Sequence, residues 1–256
     1  MRIWVGTSGW QYRDWRGRFY PPRLPLRDWL EAYAAAFATV ESNNAFYRLP
    51  ERDVFEAWAR RTPDDFVMTV KVSRYLTHIL RLRDPGEPVG RFVERASGLG
   101  PKLAPVLLQL PPTLKADLDR LDETLGRFPP SFRVAVEFRH RTWFTDDVRR
   151  LLERHGAALC LADRRGAISP IWRTTDWTYL RFHHGRARPQ PSYGRQALAR
   201  WVERLVGLGD LDEAFVYFNN DPGAAAPKDA ARFAGLARRA GLDVSRTPSV
   251  RSIRVG

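Results

Sequence analysis

The segment VAVEFRHRTWFTDDVRRLLERHGAALCLAD, residues 134–163, contains the pattern on which the prediction of the fold rests. Val134–Arg139 is a short apolar run typical of a buried strand, and Asp146–His155 has apolar residues at helical spacing. Ala158–Asp163 is a second apolar run, and Gly156 stands where helices commonly end in a left-handed residue. The segment therefore predicts a strand, a helix and a second strand, the unit from which parallel sheets are built.

The same alternation continues along nearly the whole chain. The predicted strands are Ile3–Ser8, Thr39–Asn43, Phe66–Lys71, Pro105–Leu110, Val134–Arg139, Ala158–Asp163, Thr178–His183 and Ala214–Asn219. The predicted helices are Leu26–Phe37, Arg52–Arg61, Val89–Leu99, Asp117–Phe128, Asp146–His155, Arg195–Leu208 and Lys228–Ala240. Eight strands in a chain of 256 residues predict an α/β protein with a TIM-like (β/α)8 barrel. The alternative is an open doubly wound sheet, but its G-x-G-x-x-G turn is absent after the first strand.

One helix of the predicted barrel is short or missing, because Arg164–Asp176 is too short and irregular to hold a full one. We expect a single domain over residues 1–243 and a weakly packed tail over residues 244–256. The start of the chain lacks the long apolar stretch of a signal peptide, no segment is apolar over the length of a membrane span, and Cys160 is the single cysteine. These features predict a cytoplasmic protein with no membrane association and no internal disulfide.

The chain is strongly basic, with a formal net charge of +13. Only four of its 42 basic residues are lysines, so part of the excess is consistent with the codon usage of a GC-rich genome. The segment Arg164–Gly209 alone has a formal net charge of +7. Such a segment favours an anionic ligand, with nucleic acid as a possible partner.

Polar side chains stand at the ends of nearly all the predicted strands. In a barrel, alternate residues point inward and chemistry takes place where the strands end. The polar residues at these positions are Glu41, Asn43, Lys71, Gln109, Glu137, Arg139, Asp163, Tyr217, Arg181, His183, Asn219, Asn220 and Asp221. Because buried charges are costly unless they are paired, this convergence predicts a ligand or catalytic pocket, the alternative being a structural network of ion pairs.

Roles follow from chemical type. Glu137, His183, Asp163 and Glu41 are the candidate acids and bases. The candidate ligands of an anion are Lys71, Arg139 and Arg181, and a lysine among cations is also a conceivable imine-forming amine. The remaining candidate substrate-binding residues are Asn43, Gln109, Tyr217, Asn219, Asn220, Asp221, Trp10 and Arg186.

A divalent metal remains an open alternative at the same place, where the four acid–base candidates could together hold one ion. The cofactor is otherwise unknown, since no H-E-x-x-H or closely spaced ligand set occurs. The loop Gly9–Pro22 alternates aromatic and basic residues, and Trp10 is its first aromatic. This pattern suits either stacking on a base or sugar, or a packed cover over the barrel.

Several motifs together resemble one known family, called domain of unknown function 72 or the YecE-like proteins. They are Gly6-Thr7-Ser8-Gly9-Trp10, Phe19-Tyr20-Pro21, Thr39-Val40-Glu41-Ser42-Asn43, Phe46-Tyr47-Arg48-Leu49-Pro50, Thr77-His78, Gln109-Leu110-Pro111-Pro112, Val136-Glu137-Phe138-Arg139-His140, Trp143-Phe144 and Tyr217-Phe218-Asn219-Asn220-Asp221. The resemblance implies a TIM-like barrel with a pocket lined by these motifs, and it implies no settled reaction. It also implies a likeness to the barrel of endonuclease IV.

The preferred hypothesis is an enzyme that acts on a small phosphorylated or otherwise anionic substrate by general acid–base chemistry at the barrel mouth. Glu137 and His183 would then transfer protons. The first alternative is a metal-dependent phosphodiesterase or nuclease resembling endonuclease IV. The second alternative is a non-catalytic module that binds nucleic acid through Arg164–Gly209 and the aromatic loop.

Overall fold

The computed structural model describes residues 1–164 and 167–255. The strands are β1 (Arg2–Thr7), β2 (Thr39–Ser42), β3 (Val67–Lys71), β4 (Leu103–Gln109), β5 (Val134–Glu137), β6 (Ala158–Arg164), β7 (Ala167–Ile168), β8 (Trp177–Phe182), β9 (Glu213–Phe218) and β10 (Asp243–Val244). The α-helices are α1 (Trp29–Ala36), α2 (Asn44–Tyr47), α3 (Arg52–Arg60), α4 (Gly86–Ala96), α5 (Leu118–Gly126), α6 (Asp146–Arg154), α7 (Arg195–Gly207) and α8 (Ala225–Arg239). All eight predicted strands and all seven predicted helices are present, with small shifts at their ends.

Nine of the strands form one curled parallel sheet in the order β10-β1-β9-β8-β6-β5-β4-β3-β2. β7 lies off this path and pairs antiparallel with β6. From β2 to β9 the order follows the chain, so the described strands lack the reversal of a doubly wound sheet. A parallel bridge between Ser8 and Glu41 also links the ends of β1 and β2.

Gly6 allows β1 and β2 to approach each other closely. A Cβ at this position would lie 2.3 Å from the backbone oxygen of Thr39. No side chain fits at that distance, so glycine is required by the contact between the two strands rather than by an unusual backbone angle.

The core has two parts because the sheet is buried on both faces. Between the sheet and the helices lie apolar side chains such as Leu180 and Phe182 of β8. The concave inner face carries the alternate residues of the same strands. Its apolar members are Trp4, Ala38, Ala104, Leu107, Ala135, Ala158, Cys160, Trp177, Tyr179, Phe215 and Tyr217.

The segment between β6 and β8 contains no helix in its described part, residues 167–176, as the sequence predicted. It runs beside β6 and hydrogen-bonds to it instead. The Thr174 hydroxyl donates to the Ala157 carbonyl oxygen and accepts from the Leu159 amide. The Ser169 hydroxyl accepts from the Ala162 amide. These bonds hold the segment against β6 without a helix.

The carboxyl-terminal segment is better packed than the expectation of a weakly packed tail. β10 pairs with β1, and the Ser245 amide donates to the Ile3 carbonyl oxygen at 2.9 Å. Ile253 is buried in the main core at 1% exposure. Backbone pairing and one apolar side chain thus anchor this segment at two points, while most of its other side chains are half-buried or exposed.

The described residues contain no helix that could span a membrane. None of the helices there combines the length and the apolar character needed to cross a bilayer.

Candidate functional site

The guanidinium group of Arg181 is the centre of a buried polar cluster at the carboxyl end of the sheet. Its Nη2 atom donates to Glu41 Oε1 at 2.6 Å, and its Nη1 atom donates to Glu137 Oε2 at 2.6 Å. The Tyr179 hydroxyl donates to the other oxygen of Glu41, at 2.6 Å. Each of the three charged side chains is at most 1% exposed. β2, β5 and β8 therefore converge on one cation.

The charges of this cluster stabilise one another. Burial by itself would raise the pKa of Glu137, but Arg181, His183 and Arg139 outweigh it and hold the pKa well below its ordinary value. Burial would likewise lower the pKa of Arg181, and the two glutamates raise it well above its ordinary value instead. Glu137 therefore stays ionised at neutral pH.

Arg139 extends the cluster toward solvent. Its Nε atom donates to Glu137 Oε1 at 3.0 Å and its Nη2 atom donates to Gln109 Oε1 at 3.0 Å. The side chain is 25% exposed, whereas Glu137 is fully buried. Arg139 thus connects the buried carboxylate of Glu137 to the solvent-accessible edge of the cluster.

His183 lies beside Glu137, with Nε2 at 3.2 Å from Oε1. On the opposite side of the ring, Nδ1 lies 3.3 Å from Asn219 Nδ2, which places the amide donor against the unprotonated nitrogen. Burial lowers the pKa of His183 below its ordinary value, and the charge of Glu137 opposes this only in part. The imidazole is therefore neutral at pH 7.

Lys71 enters the same region from β3 and is 8% exposed. Its Nζ atom lies 3.9 Å from the centroid of the Phe46 ring, and His78 meets that ring edge-on at 5.1 Å. Burial, followed by the charge of Arg181, lowers the pKa of Lys71 to about 7. Burial, followed by the charge of Lys71, lowers the pKa of His78 to about 4.

Asp221 follows β9 and has an unusual carboxyl group. Its Oδ1 atom is buried and has no hydrogen-bond partner among the residues that the structure describes. Burial raises the pKa of Asp221 to about 7, although Tyr12 and Arg181 favour the ionised form. The group therefore exchanges a proton near neutral pH.

The family model for a protein of unknown function, DUF72, matches residues 4–252. The chain belongs to the DUF72 family. The protein YunF of Bacillus subtilis is 27% identical over 88% of this chain and 90% of its own length. The protein YecE of Escherichia coli K12 is 31% identical over 64% of this chain and 60% of its own length.

Solved DUF72 structures have the same fold. A DUF72 family protein from Thermotoga maritima MSB8 superposes with a TM-score of 0.83 at 30% identity, covering 93% of this chain and all of the other. A DUF72 family protein from Enterococcus faecalis V583 superposes with a TM-score of 0.78 at 20% identity, covering 92% of this chain and 95% of the other. The resemblance inferred from the motifs is confirmed.

Most of the predicted site residues of this DUF72 chain do come together. The cluster at the carboxyl end of the sheet contains Glu41, Lys71, Gln109, Glu137, Arg139, Arg181, His183 and Asn219. Asp221 joins it through Tyr12 and Arg181. Asn43 immediately precedes α2 as its N-cap residue, and its Oδ1 atom is buried without a partner in the described part of the chain. Tyr217 lies wholly inside the sheet, where its hydroxyl bonds with Thr39 and Thr69.

The prediction that Asp163 faces the mouth is wrong. It shares the helix side of β6 with Leu159 and Leu161, and its Oδ2 atom accepts from Trp201 Nε1 of α7 at 2.7 Å. The strand extends one residue further than predicted, so Arg164 follows Cys160 on the inner face instead. Strict alternation along β6 would have found Arg164 from the sequence.

Three further predicted residues lie outside the cluster. Asn220 is buried at 1% exposure and donates to Asp229 Oδ2 of α8 and to the Pro191 carbonyl oxygen. Trp10 packs edge-on against Trp58 in the core. Arg186 is exposed and lines a surface cavity of about 560 Å³ with Tyr193 and other residues. The contacts of Asn220 and Trp10 indicate a structural role, and Arg186 lies on the surface away from the cluster.

The aromatic loop Gly9–Pro22 is a packed cover. Trp15 is fully buried, and Tyr20 stacks on Trp29 with ring centroids 4.5 Å apart. Of the basic segment Arg164–Gly209, Arg165 lies outside the described residues.

The hypothesis of a divalent metal held by Glu41, Glu137, Asp163 and His183 does not fit the donor set. Asp163 points away, and Arg181 occupies the space between the two glutamates. In residues 1–164 and 167–255, no group of three or more acidic, histidine or cysteine side chains is arranged to hold a metal ion. A coordinating carboxylate must have a free oxygen directed at the ion, and these oxygens bond to Arg181, Tyr179 and Arg139 instead.

Several residues of the cluster were not among the predicted site residues. They are Ser8, Tyr12, His78, Arg164 and Tyr179, of which the strand pattern places Tyr179 on the same face as Arg181 and His183. Ser8, His78 and Tyr179 stand within or beside motifs and strands already singled out, but no spacing rule tells which side chain reaches which partner across a curled sheet.

Proposed function

We propose that this DUF72 chain is an enzyme with a TIM-like (β/α)8 barrel, and that it acts on a small anionic substrate at the carboxyl ends of the strands. Closure of the barrel is supported by the Ser8–Glu41 bridge and by the close approach of Gly6 to Thr39. It is also supported by the Arg181 side chain on β8, which bonds to Glu41 on β2 across the interior. The carboxyl ends of barrel strands are where active sites of this fold are built.

The observation that carries the proposal is an excess of positive charge at this end of the sheet. Lys71, Arg139, Arg164 and Arg181 converge there against the two glutamates. Lys71 and Arg164 have no carboxylate partner within the described residues, and burial lowers the pKa of Arg164. Adding an anion would supply the missing negative charge, so the cluster favours a phosphate or carboxylate ligand.

The proton-transfer roles fall on His183 and Asp221 rather than on the glutamates. Both oxygens of Glu137 bond to arginines, and its low pKa makes it a poor base at neutral pH. Asp221 has a pKa near 7 and a free oxygen, which suit a general acid or base. The charge of Glu137, whose Oε1 atom lies 3.2 Å from His183 Nε2, stabilises the protonated form of the ring.

The experiment compares anion binding by the wild type, Arg139→Gln and Arg149→Gln. Arg149 pairs with Glu153 on the surface of α6 and serves as the matched control. We expect inorganic phosphate or pyruvate to raise the Tm of the wild type and of Arg149→Gln. The increase in the Tm of Arg139→Gln should be at least 5-fold smaller, because this variant loses about one charged hydrogen bond to the anion. Equal responses of both variants, or no response of the wild type to either anion, would overturn the proposal.

The exposed Arg186 and Arg188 support a second candidate, the non-catalytic nucleic-acid module. It predicts binding of a DNA or RNA oligonucleotide that weakens steeply with salt and is lost in the Arg186→Gln, Arg188→Gln double variant. Binding that is absent or insensitive to salt would exclude it.

A further inference from the structure

Three of the four lysines of the chain, Lys71, Lys102 and Lys115, differ sharply in their surroundings. Lys102 donates from Nζ to the Thr62 and Ala59 carbonyl oxygens at 2.6 Å and 2.7 Å, and Lys115 is exposed. Lys71 is nearly buried at the end of β3, and its Nζ atom has no hydrogen bond or ion pair within the described residues. It is the amine whose position calls for an explanation.

The nearby carboxylates do not serve as partners of Lys71. The two oxygens of Glu41 bond to Arg181 and Tyr179, and those of Glu137 bond to Arg181 and Arg139. Lys71 is therefore a cation placed beside other cations. The carboxylates of Glu41 and Glu137 pair with arginines, and the amine of Lys71 has no carboxylate partner within the described residues.

The surroundings of Nζ determine its protonation. The ring of Phe46 at 3.9 Å favours the ammonium form, as a cation–π contact does. Burial and the charges of Arg181 and Arg139 disfavour that form, while Glu41 and Glu137 favour it, and the net effect is a pKa of about 7. His78, which contacts the same ring edge-on, is neutral at pH 7. About half of Lys71 is thus the free amine at neutral pH, against roughly one part in 10³ for an ordinary lysine.

We propose that the Lys71 amine is a nucleophile that forms an imine with the carbonyl carbon of a small 2-oxo acid. This inference rests on the proposed function, because the same cluster must hold the carboxylate of that acid. A 2-oxo acid combines the two groups that the cluster recognises, a carbonyl for the amine and a carboxylate for a guanidinium such as that of Arg139.

The step balances without any oxidant or metal. The nitrogen lone pair of Lys71 forms a bond to the carbonyl carbon, and one proton of the nitrogen moves to the carbonyl oxygen, which becomes a hydroxyl group. The second proton of the nitrogen then leaves with that hydroxyl group as one water molecule. The product is a carbon–nitrogen double bond, which draws electrons from the neighbouring carbon and makes its hydrogens acidic. A base such as Asp221 would then have a proton to remove.

The experiment traps the imine on the wild-type protein. Pyruvate is added at pH 7 with sodium cyanoborohydride, which delivers hydride to the imine and leaves a stable secondary amine on the modified residue. Peptide mapping by mass spectrometry then measures the rate at each amine. We expect Lys71 to react at least 10-fold faster than the exposed Lys115, because burial beside Arg181 lowers the pKa of Lys71 and favours its neutral amine at pH 7.

Two variants and one competitor complete the design. Lys71→Arg keeps the charge and should lose the rapid labelling, while Lys115→Arg should keep it. Inorganic phosphate should slow labelling of Lys71 at least 5-fold and leave labelling of Lys115 unchanged, since it competes for the guanidinium groups. Labelling of Lys71 no faster than that of Lys115 would overturn the inference.

Failure of this inference is distinguishable from failure of the proposed function. If phosphate raises the Tm through Arg139 but Lys71 is not labelled, the anion site stands and the imine is excluded. If Lys71 is labelled but no anion raises the Tm, the reactive amine stands and the anion site at the guanidinium groups is excluded. Mapping needs only the wild-type chain, so the test does not depend on the folding of a variant.

Discussion

Arg181 Nη1 and Glu137 Oε2 are 2.6 Å apart, and both side chains are almost completely buried. The other end of the same guanidinium holds Glu41 at an equal distance. One cation thus joins β8 to β5 and to β2 inside the curled sheet. The two ion pairs link three strands and also fix the positions of the two glutamates. Arg139, Lys71 and His183 lie around these glutamates.

Replacement of Glu137 by Gln should destabilise the protein as well as alter the site. The variant leaves Arg181 with one charged partner in a buried place, and we expect a loss of about 3–5 kcal/mol in the free energy of unfolding. Urea titration measures it. The surface variant Glu153→Gln, which loses a pair with Arg149, should cost under about 1 kcal/mol. Similar losses in the two variants would contradict the buried network.

Replacement of Tyr179 by Phe should leave one oxygen of Glu41 without its donor. A buried carboxylate that loses a hydrogen bond costs about 2 kcal/mol, and this should appear as a lower Tm and urea midpoint. Tyr47→Phe is the control, since Tyr47 is 75% exposed. A change in Tyr179→Phe no larger than that in Tyr47→Phe would show that Glu41 is satisfied in another way.

Replacement of Asp221 by Asn should change how stability depends on pH. The pKa of Asp221 is raised to about 7 in the folded state from an ordinary value of 3.8, so the folded protein holds a proton that the unfolded chain has lost. The stabilisation from this group is full below pH 4 and is lost as the pH rises to about 7. Asn cannot ionise, so the variant should gain up to about 4 kcal/mol relative to the wild type between pH 4 and pH 8.

Urea unfolding at pH 4, 6 and 8 measures this difference. The exposed Asp119→Asn should keep the pH dependence of the wild type. A constant difference between Asp221→Asn and the wild type at all three pH values would show that folding does not raise the pKa of Asp221.

Replacement of Gly6 by Ala should separate β1 from β2. The new methyl group would lie 2.3 Å from the Thr39 carbonyl oxygen, which is backbone and cannot rotate away. We expect a loss of about 3 kcal/mol or more, as in overpacked cores. Gly90→Ala in α4 is the control, because a Cβ there meets nothing within 4 Å and alanine favours the helix by about 1 kcal/mol. Tolerance of Gly6→Ala would argue against the contact between these strands.

Replacement of Asp163 by Ala should leave the candidate site intact. The carboxylate bonds to Trp201 on the helix side of β6, so its loss should cost about 1–2 kcal/mol of stability. Phosphate or pyruvate should raise the Tm of this variant by the same increment as in the wild type, unlike Arg139→Gln. A smaller increase in Tm than in the wild type would indicate that Asp163 contributes to anion binding.

Most of the architecture could be predicted from the sequence because the signals are local. Apolar runs such as Val134-Ala135-Val136 and helical spacing in Asp146–Arg154 determine strand and helix through burial of one face or both. Gly156 and Gly241 have φ values of +59° and +78°, as expected of helix-ending glycines. The sequence also indicated that β6 is followed by no full helix.

The site was predictable only as far as alternation along each strand allows. Glu41, Glu137 and Arg181 could be assigned to the inner face, since side chains in a strand alternate with a period of two. A strand end wrong by one residue placed Asp163 in the site and left out Arg164. Asn220 was misassigned for a related reason, because beyond the end of β9 the period no longer holds.

The sequence by itself determined the set of strands and helices and the charged residues that stand at the strand ends. Only the tertiary structure decided which charges pair and which do not. Arg181 takes both glutamates because it reaches across the interior from β8, while Lys71 on β3 meets the Phe46 ring and other cations. Pairing depends on the distances between side chains that are far apart in the sequence. Because charges interact more strongly when they are buried, small differences in those distances cause large differences in pKa.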